Sequence, residues 1–222
     1  MKYLFCMFLL ALCRLSYAQP PTQDLAAYRL SVAQNSNNQL IKIDKTQQGI
    51  QLDLVYGSTN NFVKKPVYPR GLAYTFLRKP AYEALLAVVQ ELRQQGLGIQ
   101  LFDAYRPYDV TRILWSIVPD ERYAANPKKG SYHNRGLAVD LSVYDLKTGK
   151  LLPMGTGFDN FSDTAHHSFT DLPQAQRDNR ALLKNVMARH GFTALDSEWW
   201  HYTFKTDTVY PVLNIPFAEL AR

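Results

Sequence analysis

The chain has 222 residues and a formal net charge of +6, and its lysines and arginines are scattered along the sequence. This distribution does not indicate a nucleic-acid-binding surface. With 14 tyrosines and 11 phenylalanines, the composition is that of a folded protein and argues against disorder. A length of about 200 residues suits one domain that buries a sizeable core.

The first 18 residues have the pattern of a cleaved secretory signal peptide. A positive charge at Lys2 is followed by an apolar run, and Ser16 and Ala18 are the small residues that a signal peptidase reads. The run is too short to cross a bilayer. A lipoprotein anchored at Cys13 is the weaker alternative, because bulky Leu12 precedes that cysteine. We therefore expect an exported protein, periplasmic or otherwise extracytoplasmic, without stable membrane association after cleavage. Both cysteines of the chain would leave with the signal.

Apolar periodicity predicts strands and helices through most of the remaining chain. Residues 19–38 are polar and begin with prolines, so 19–49 is predicted as a partly ordered N-terminal arm and 50–222 as the functional domain. In chain order, the patterns predict a strand at 50–56, a helix at 79–95, a strand at 97–104, a helix at 107–118, a strand at 137–143, a hairpin turn at 145–149, a helix at 174–190 and a last ordered unit at 192–204.

A candidate metal site is centred on the stretch from Ser131 to Asp140. Gly136 separates a loop that carries His133 from an apolar strand that carries Asp140. Imidazole and carboxylate both suit a divalent metal, and zinc in particular. Taken alone, the pair is an incomplete site, and a structural histidine with a surface aspartate fits the same pattern.

A third ligand has to come from the other histidines. His190 lies at a predicted helix C-terminus, where the helix dipole favours a cation and a structural role. His201 follows Glu198 by three positions, and in a regular strand two such residues point to opposite faces. A bulge could bring both to one site, where His201 would be a ligand and Glu198 a general base.

Two motifs in this order resemble a known group of zinc peptidases. The S-x-H-x-x-G-x-A-x-D pattern at 131–140 and the E-W-W-H pattern at 198–201 are similar to the zinc D-alanyl-D-alanine dipeptidases of the VanX type. The wider group includes D,D-carboxypeptidases and the hedgehog signalling domain. Segment 103–107 resembles the D-x-Y-R-P segment of the dipeptidases, and 153–159 resembles their P-M-G-x-x-F-D loop, with His166 and His167 following. The resemblance covers about residues 50–204.

The resemblance implies an α+β fold in which a mainly antiparallel central sheet is flanked by helices and zinc is bound at the sheet. It implies one Zn²⁺ per chain with His133, Asp140 and His201 as ligands. Glu198 would be the catalytic base. Arg106 would stabilise the oxyanion, and an arginine is suited to this because it is always charged and offers several donors.

The resemblance also implies how a free dipeptide would be held. Asp159 is a natural partner for the ammonium end of the dipeptide, and Ser131 can hydrogen-bond its terminal carboxylate. We expect Tyr56 and Tyr68 to line the pocket. His166 and His167 are expected to have structural or supporting roles rather than to bind the metal.

The function expected from these residues is zinc-dependent hydrolysis of D-Ala-D-Ala to two D-alanines. An exported enzyme cannot reach the cytosolic dipeptide pool, so cell-wall turnover and D-alanine recycling are favoured over antibiotic resistance. The alternatives are a D,D-carboxypeptidase or endopeptidase that acts on longer peptidoglycan peptides, and a zinc domain or wall-binding module without catalysis.

Overall fold

The computed structural model describes residues 22–222. The signal peptide predicted for residues 1–18 lies outside the described residues. Within 22–222, no helix combines the length and the apolar character that a membrane span requires.

Helices and strands are mixed along the part of the chain that the structure describes. The helices are α1 (Leu25–Gln34), α2 (Lys79–Arg93), α3 (Tyr108–Ile117), α4 (Gln174–Arg189) and α5 (Phe217–Leu220). The strands are β1 (Thr22–Gln23), β2 (Leu40–Asp44), β3 (Ile50–Leu52), β4 (Tyr74–Arg78), β5 (Leu97–Asp103), β6 (Ala138–Asp145), β7 (Phe192–Leu195), β8 (Glu198–Phe204) and β9 (Val212–Leu213).

The largest sheet has five strands in the order β3-β5-β6-β8-β7. Only β3 and β5 run parallel, and the other neighbours are antiparallel. The predicted α+β fold with a mainly antiparallel central sheet is therefore confirmed, with one parallel pair at its edge. Two small sheets accompany it, an antiparallel β2–β4 pair and a parallel β1–β9 pair.

The core lies between this sheet and the helices that cover it. Strand β6 is central, and every side chain from Ala138 to Tyr144 is buried. Helix α2 packs against β4, β5 and α4 through one stripe of buried side chains, Ala81, Leu85, Val88, Val89 and Leu92. Full burial of each Val or Leu side chain contributes roughly 1.5–3 kcal/mol, so this stripe fixes the helix to the sheet.

The predicted N-terminal arm contains ordered structure. Helix α1 and strand β2 lie within it, and β2 pairs with β4 from Leu40 opposite Arg78 to Asp44 opposite Tyr74. Tyr28 is buried, and its hydroxyl oxygen accepts the Leu40 N–H at 2.8 Å. Helix α1 has no continuous apolar stripe, so its order comes from tertiary contacts that local periodicity does not reveal.

The ordered chain also continues past residue 204, the end of the last predicted unit. Strand β9 pairs with β1, and α5 follows it. Phe217 of α5 is buried, with its ring against those of Tyr68, Phe76 and Tyr105. Elements of two and four residues carry too little periodicity to be predicted, and aromatic packing holds them here.

Candidate metal centre and catalytic cleft

The sheet register brings the two distant ligand candidates face to face. His133 lies in a short 3-10 turn that ends at Gly136, whose φ of 70° is in the left-handed region. Strand β6 begins two residues later and carries Asp140, and in the pairing of β6 with β8 the partner of Asp140 is His201. A turn and one strand pair thus bring the three side chains together.

The three side chains converge on one point. His133 Nε2 lies 3.4 Å from Asp140 Oδ2, and His201 Nδ1 lies 2.9 Å from Asp140 Oδ1. The two imidazole nitrogens, His133 Nε2 and His201 Nδ1, are 3.3 Å apart. All three ligand atoms lie within 4.8 Å of one another. Four ligands placed tetrahedrally around zinc at its usual bond lengths are separated by about 3.3 Å, so the spacing fits such an ion.

The surroundings of the two histidines suit metal binding. His133 Nδ1 is 2.7 Å from the carbonyl oxygen of Ala104, and donation there leaves the Nε2 lone pair facing the site. Burial lowers the pKa of His201, only partly opposed by Asp140, which favours the neutral imidazole that a metal requires. Burial raises the pKa of Asp140, but the nearby His133 and His201 outweigh it, and the net pKa is lowered. The donor set therefore fits a divalent zinc ion.

Glu198 reaches the same site because β8 is irregular. Ala194 of β7 pairs with Tyr202, but the next residue, Leu195, pairs with Glu198, so β8 has extra residues between the two pairs. Glu198 Oε2 consequently lies 3.9 Å from His201 Nδ1. Burial, with the negative charges of Asp140 and Asp159, raises the pKa of Glu198 well above its ordinary value.

Arg106 is held beside the ligands by a buried carboxylate, Asp103. Arg106 Nε and Nη2 contact Asp103 Oδ2 at 2.9 and 2.7 Å, and Nη2 lies 3.8 Å from Asp140 Oδ2. The Tyr68 hydroxyl donates to Asp103 Oδ1 at 2.7 Å. The ring of Tyr56 lies against the Arg106 guanidinium, 5.5 Å from its carbon. The sequence alone predicts no role for Asp103, and its position in the D-x-Y-R-P segment is the only signal that points to one.

Asp159 and Ser131 lie in the same cleft. The Tyr56 hydroxyl donates to Asp159 Oδ2 at 3.0 Å. Burial, followed by the charge of Asp140, raises the pKa of Asp159 to about 8.

Ser131 Oγ accepts the His133 N–H at 3.1 Å, and the Ser131 backbone N–H donates to Asn134 Oδ1 at 2.8 Å. Asn134 also donates to the Arg106 carbonyl oxygen, so one buried amide ties the Ser131 turn to the arginine.

The metal-ligand candidates and the catalytic and substrate-binding candidates around them line one cavity of about 1090 Å³. Tyr68 is not in its wall, because its hydroxyl is turned toward Asp103. The three remaining histidines also lie outside the cavity wall: His166 lies beside Asp163, His190 contacts Glu91, and the His167 ring packs against Tyr202. The predicted site residues that line the cavity are Tyr56, Arg106, Ser131, His133, Asp140, Asp159, Glu198 and His201.

A set of two imidazoles and one carboxylate, with a second carboxylate and a fixed arginine beside it, defines a metallohydrolase site. Comparison with known proteins agrees: residues 36–220 match the peptidase M15 family model described as D-ala-D-ala dipeptidase. The chain belongs to this family of zinc metallopeptidases, which confirms the resemblance found in the motifs.

Curated relatives named D-alanyl-D-alanine dipeptidase come from several bacteria. The Escherichia coli (strain K12) protein is 34% identical over 169 residues, 76% of this chain and 86% of that protein. The Streptomyces coelicolor protein is 35% identical over 184 residues, 74% of this chain and 91% of that protein. The Enterococcus faecium protein is 33% identical over 187 residues, 76% of this chain and 92% of that protein.

Proposed function

We propose that this chain hydrolyses D-Ala-D-Ala to two D-alanines, with one zinc ion held by His133, Asp140 and His201. The observation that carries the proposal is the convergence of these ligands with Glu198 and Arg106 on one cavity. The relatives named D-alanyl-D-alanine dipeptidase support the choice of substrate.

His133, Asp140 and His201 would hold a zinc ion that would serve as a Lewis acid toward water and a carbonyl group. Glu198 accepts a proton from the attacking water and passes it to the leaving amine. Burial and the charges of Asp140 and Asp159 raise the pKa of Glu198, and the positive charge of a bound zinc ion would favour the ionised carboxylate that accepts the proton. Arg106 presents its guanidinium toward the ligands, where it stabilises the negative charge that develops on the carbonyl oxygen.

The two ends of the dipeptide are recognised by opposite chemistry. Asp159 takes the ammonium group, and the positive charge of the substrate favours the ionised carboxylate at a residue whose pKa is raised to about 8. Tyr56 fixes the direction of that carboxylate. Ser131 uses its oxygen to accept the His133 N–H, so its hydroxyl proton is left to donate to the terminal carboxylate.

The decisive experiment is hydrolysis of a dipeptide panel with zinc and with a chelator. We expect D-Ala-D-Ala to be cleaved, the L,L-dipeptide to be cleaved poorly, and chelation to abolish turnover until zinc is returned. The variant Glu198→Ala is expected to lose roughly 10²-fold or more in kcat while its zinc content stays at one per chain. Undiminished turnover in this variant would contradict the mechanism.

A D,D-carboxypeptidase acting on longer wall peptides is the second candidate. The size of the cavity favours it, because about 1090 Å³ exceeds what a dipeptide occupies. Asp159 favours the dipeptide, since its carboxylate would meet a neutral peptide group in a longer substrate. Release of D-alanine from a pentapeptide at a rate comparable to D-Ala-D-Ala hydrolysis would establish the second candidate.

We further propose that the enzyme is exported and clears D,D-dipeptides released during cell-wall turnover. The signal-like pattern of residues 1–18 supports export. Cell fractionation tests this, and full activity in the cytoplasm with Met1 retained would contradict it.

A further inference from the structure

Arg180 is a buried cation that the proposed mechanism does not use. It lies on α4 with 5% of its surface exposed. Its guanidinium donates to three backbone carbonyl oxygens, those of Met154 at 2.6 Å, Thr164 at 2.9 Å and His166 at 3.0 Å. Within residues 22–222, Arg180 forms no ion pair with a carboxylate, and its hydrogen bonds go to these three carbonyls. A buried guanidinium that serves only backbone carbonyls fixes the course of the chain that carries them.

The three carbonyls belong to the two ends of one loop. This loop, residues 153–166, is called the Asp159 loop because Asp159 lies near its middle. Met154 is at its beginning, and Thr164 and His166 are at its end, so Arg180 joins the two ends. Joining the ends removes chain entropy from the segment between them. Arg180 therefore restricts the positions that the segment with Asp159 can take.

Asp159 needs such restriction because its backbone is strained. Its φ of 57° lies in the left-handed region, which residues other than glycine adopt at a cost and keep only when the surroundings hold them. Nearby, Phe158 stacks on Phe102 at 5.0 Å, and the Trp199 ring N–H donates to Thr156 at 2.7 Å. These contacts fix the middle of the loop, and Arg180 fixes its ends.

We propose that Arg180 is a positioning residue for Asp159 and thereby determines how well the enzyme recognises the ammonium end of its substrate. This inference rests on the proposed function of Asp159. The planar fork of arginine matches three separate carbonyls, whereas lysine offers a single point charge. Arg180 lies outside the cavity wall and hydrogen-bonds none of the three metal ligands, so its loss should change binding of the ammonium end rather than the chemical step.

The test compares Arg180→Gln with Arg189→Gln, a control on the same helix. Arg189 is half exposed and pairs with Glu91, away from the Asp159 loop. We expect Arg180→Gln to raise KM for D-Ala-D-Ala roughly tenfold with a smaller change in kcat. The preference for D-Ala-D-Ala over N-acetyl-D-Ala-D-Ala, which lacks the ammonium group, should shrink. Arg189→Gln should keep wild-type values for both.

Additional variants separate positioning from general damage. In an Asp159→Asn background, Arg180→Gln should cause little further loss, because both changes remove the same recognition. Arg180→Lys, which keeps the charge, should fold and give an intermediate KM. Arg180 has no positioning role if Arg180→Gln keeps the wild-type KM and preference, or if it weakens both substrates equally.

One measurement is independent of turnover. Amide hydrogen exchange in residues 153–166 should be faster in Arg180→Gln than in Arg189→Gln, whatever the substrate proves to be. Absence of D-Ala-D-Ala hydrolysis by the wild type would contradict the proposed function, while unchanged exchange in this loop would contradict the role of Arg180.

Discussion

Asp103 shows how one residue outside the cavity wall can determine the geometry within it. It is fully buried and accepts from Tyr68, from its neighbouring Ala104 N–H and from two nitrogens of Arg106. Burial lowers the pKa of Arg106, but Asp103 and the other nearby acids outweigh it, and the net pKa is raised. The guanidinium is therefore both charged and fixed before any substrate arrives, which is what electrostatic preorganisation requires.

Replacing Asp103 by Asn should impair catalysis without removing the metal. The variant keeps the side-chain shape but leaves the Arg106 guanidinium without its buried counter-charge. Hydrogen bonds to charged groups contribute about 1.5–3 kcal/mol, so kcat/KM should fall roughly 10- to 100-fold. Tyr68→Phe is the matched control, because it removes one hydrogen bond from an uncharged donor but keeps the ion pair between Asp103 and Arg106, and its loss should be smaller. A wild-type kcat/KM in Asp103→Asn would show that Arg106 holds its position unaided.

At the scale of elements, the turn before β6 sets the position of two metal ligands. Gly136 has a φ of 70°, and a Cβ added there would lie 2.5 Å from Leu40 Cδ2. Leu40 belongs to β2, so the ligand turn packs directly on the segment that the sequence predicts as an arm. The site therefore depends on Leu40, which precedes the motif that begins at Ser131 by 91 positions.

Gly136→Ala should weaken both the fold and the metal site. The left-handed conformation costs an L-residue roughly 1–2 kcal/mol, and the contact with Leu40 adds to this. Gly149→Ala is the control: its φ is also 70°, but nothing lies within 4 Å of the added Cβ. Urea unfolding should show a larger loss for Gly136→Ala, and zinc titration should show weaker binding in that variant alone. Equal losses in the two variants would mean that the close packing at Gly136 has no effect.

Elements with strong apolar periodicity were predictable and those defined by pairing were not. The buried stripe of α2 recurs at helical spacing and is visible in the sequence. Strand β4 has no predicted counterpart, because its identity follows from pairing with β2. The approach of Glu198 to His201 required a bulge whose existence could be inferred but whose position in β8 is set by its partner β7. Asp103 was missed because its role depends on contacts with Arg106 and Tyr68 in the folded chain.

For the whole molecule, His167 links stability to pH. Its ring packs against Tyr202, and its Nε2 is buried without a hydrogen-bond partner among the described residues. Burial, followed by the positive charges of Lys184 and Arg180, lowers its pKa to about 4. Its ordinary pKa is 6.5, so the unfolded chain binds more protons than the folded protein between about pH 6.5 and pH 4. Folding stability from this group is therefore present above pH 6.5 and is lost as the pH falls.

The variant His167→Gln should remove this part of the pH dependence. Unfolding free energies measured with urea from pH 7 to pH 4.5 should fall more steeply for the wild type than for the variant. Only the wild type has an imidazole at position 167 that takes up a proton on unfolding in this pH range. Other titrating groups are common to both proteins and cancel in the difference. Parallel curves across this range would show that His167 keeps its ordinary proton affinity in the fold.

The pairing of Asp140 with His201 has a consequence for how this chain can change in length. The pairing of β6 with β8, rather than the length of the intervening sequence, sets the distance between these two ligands. Insertions and deletions in the loops between β6 and β8 leave that separation intact as long as both strands keep their register. A single residue added inside either strand would turn one ligand to the opposite face of the sheet. Length changes in the connecting segments therefore leave the two ligands paired, whereas length changes inside β6 or β8 do not.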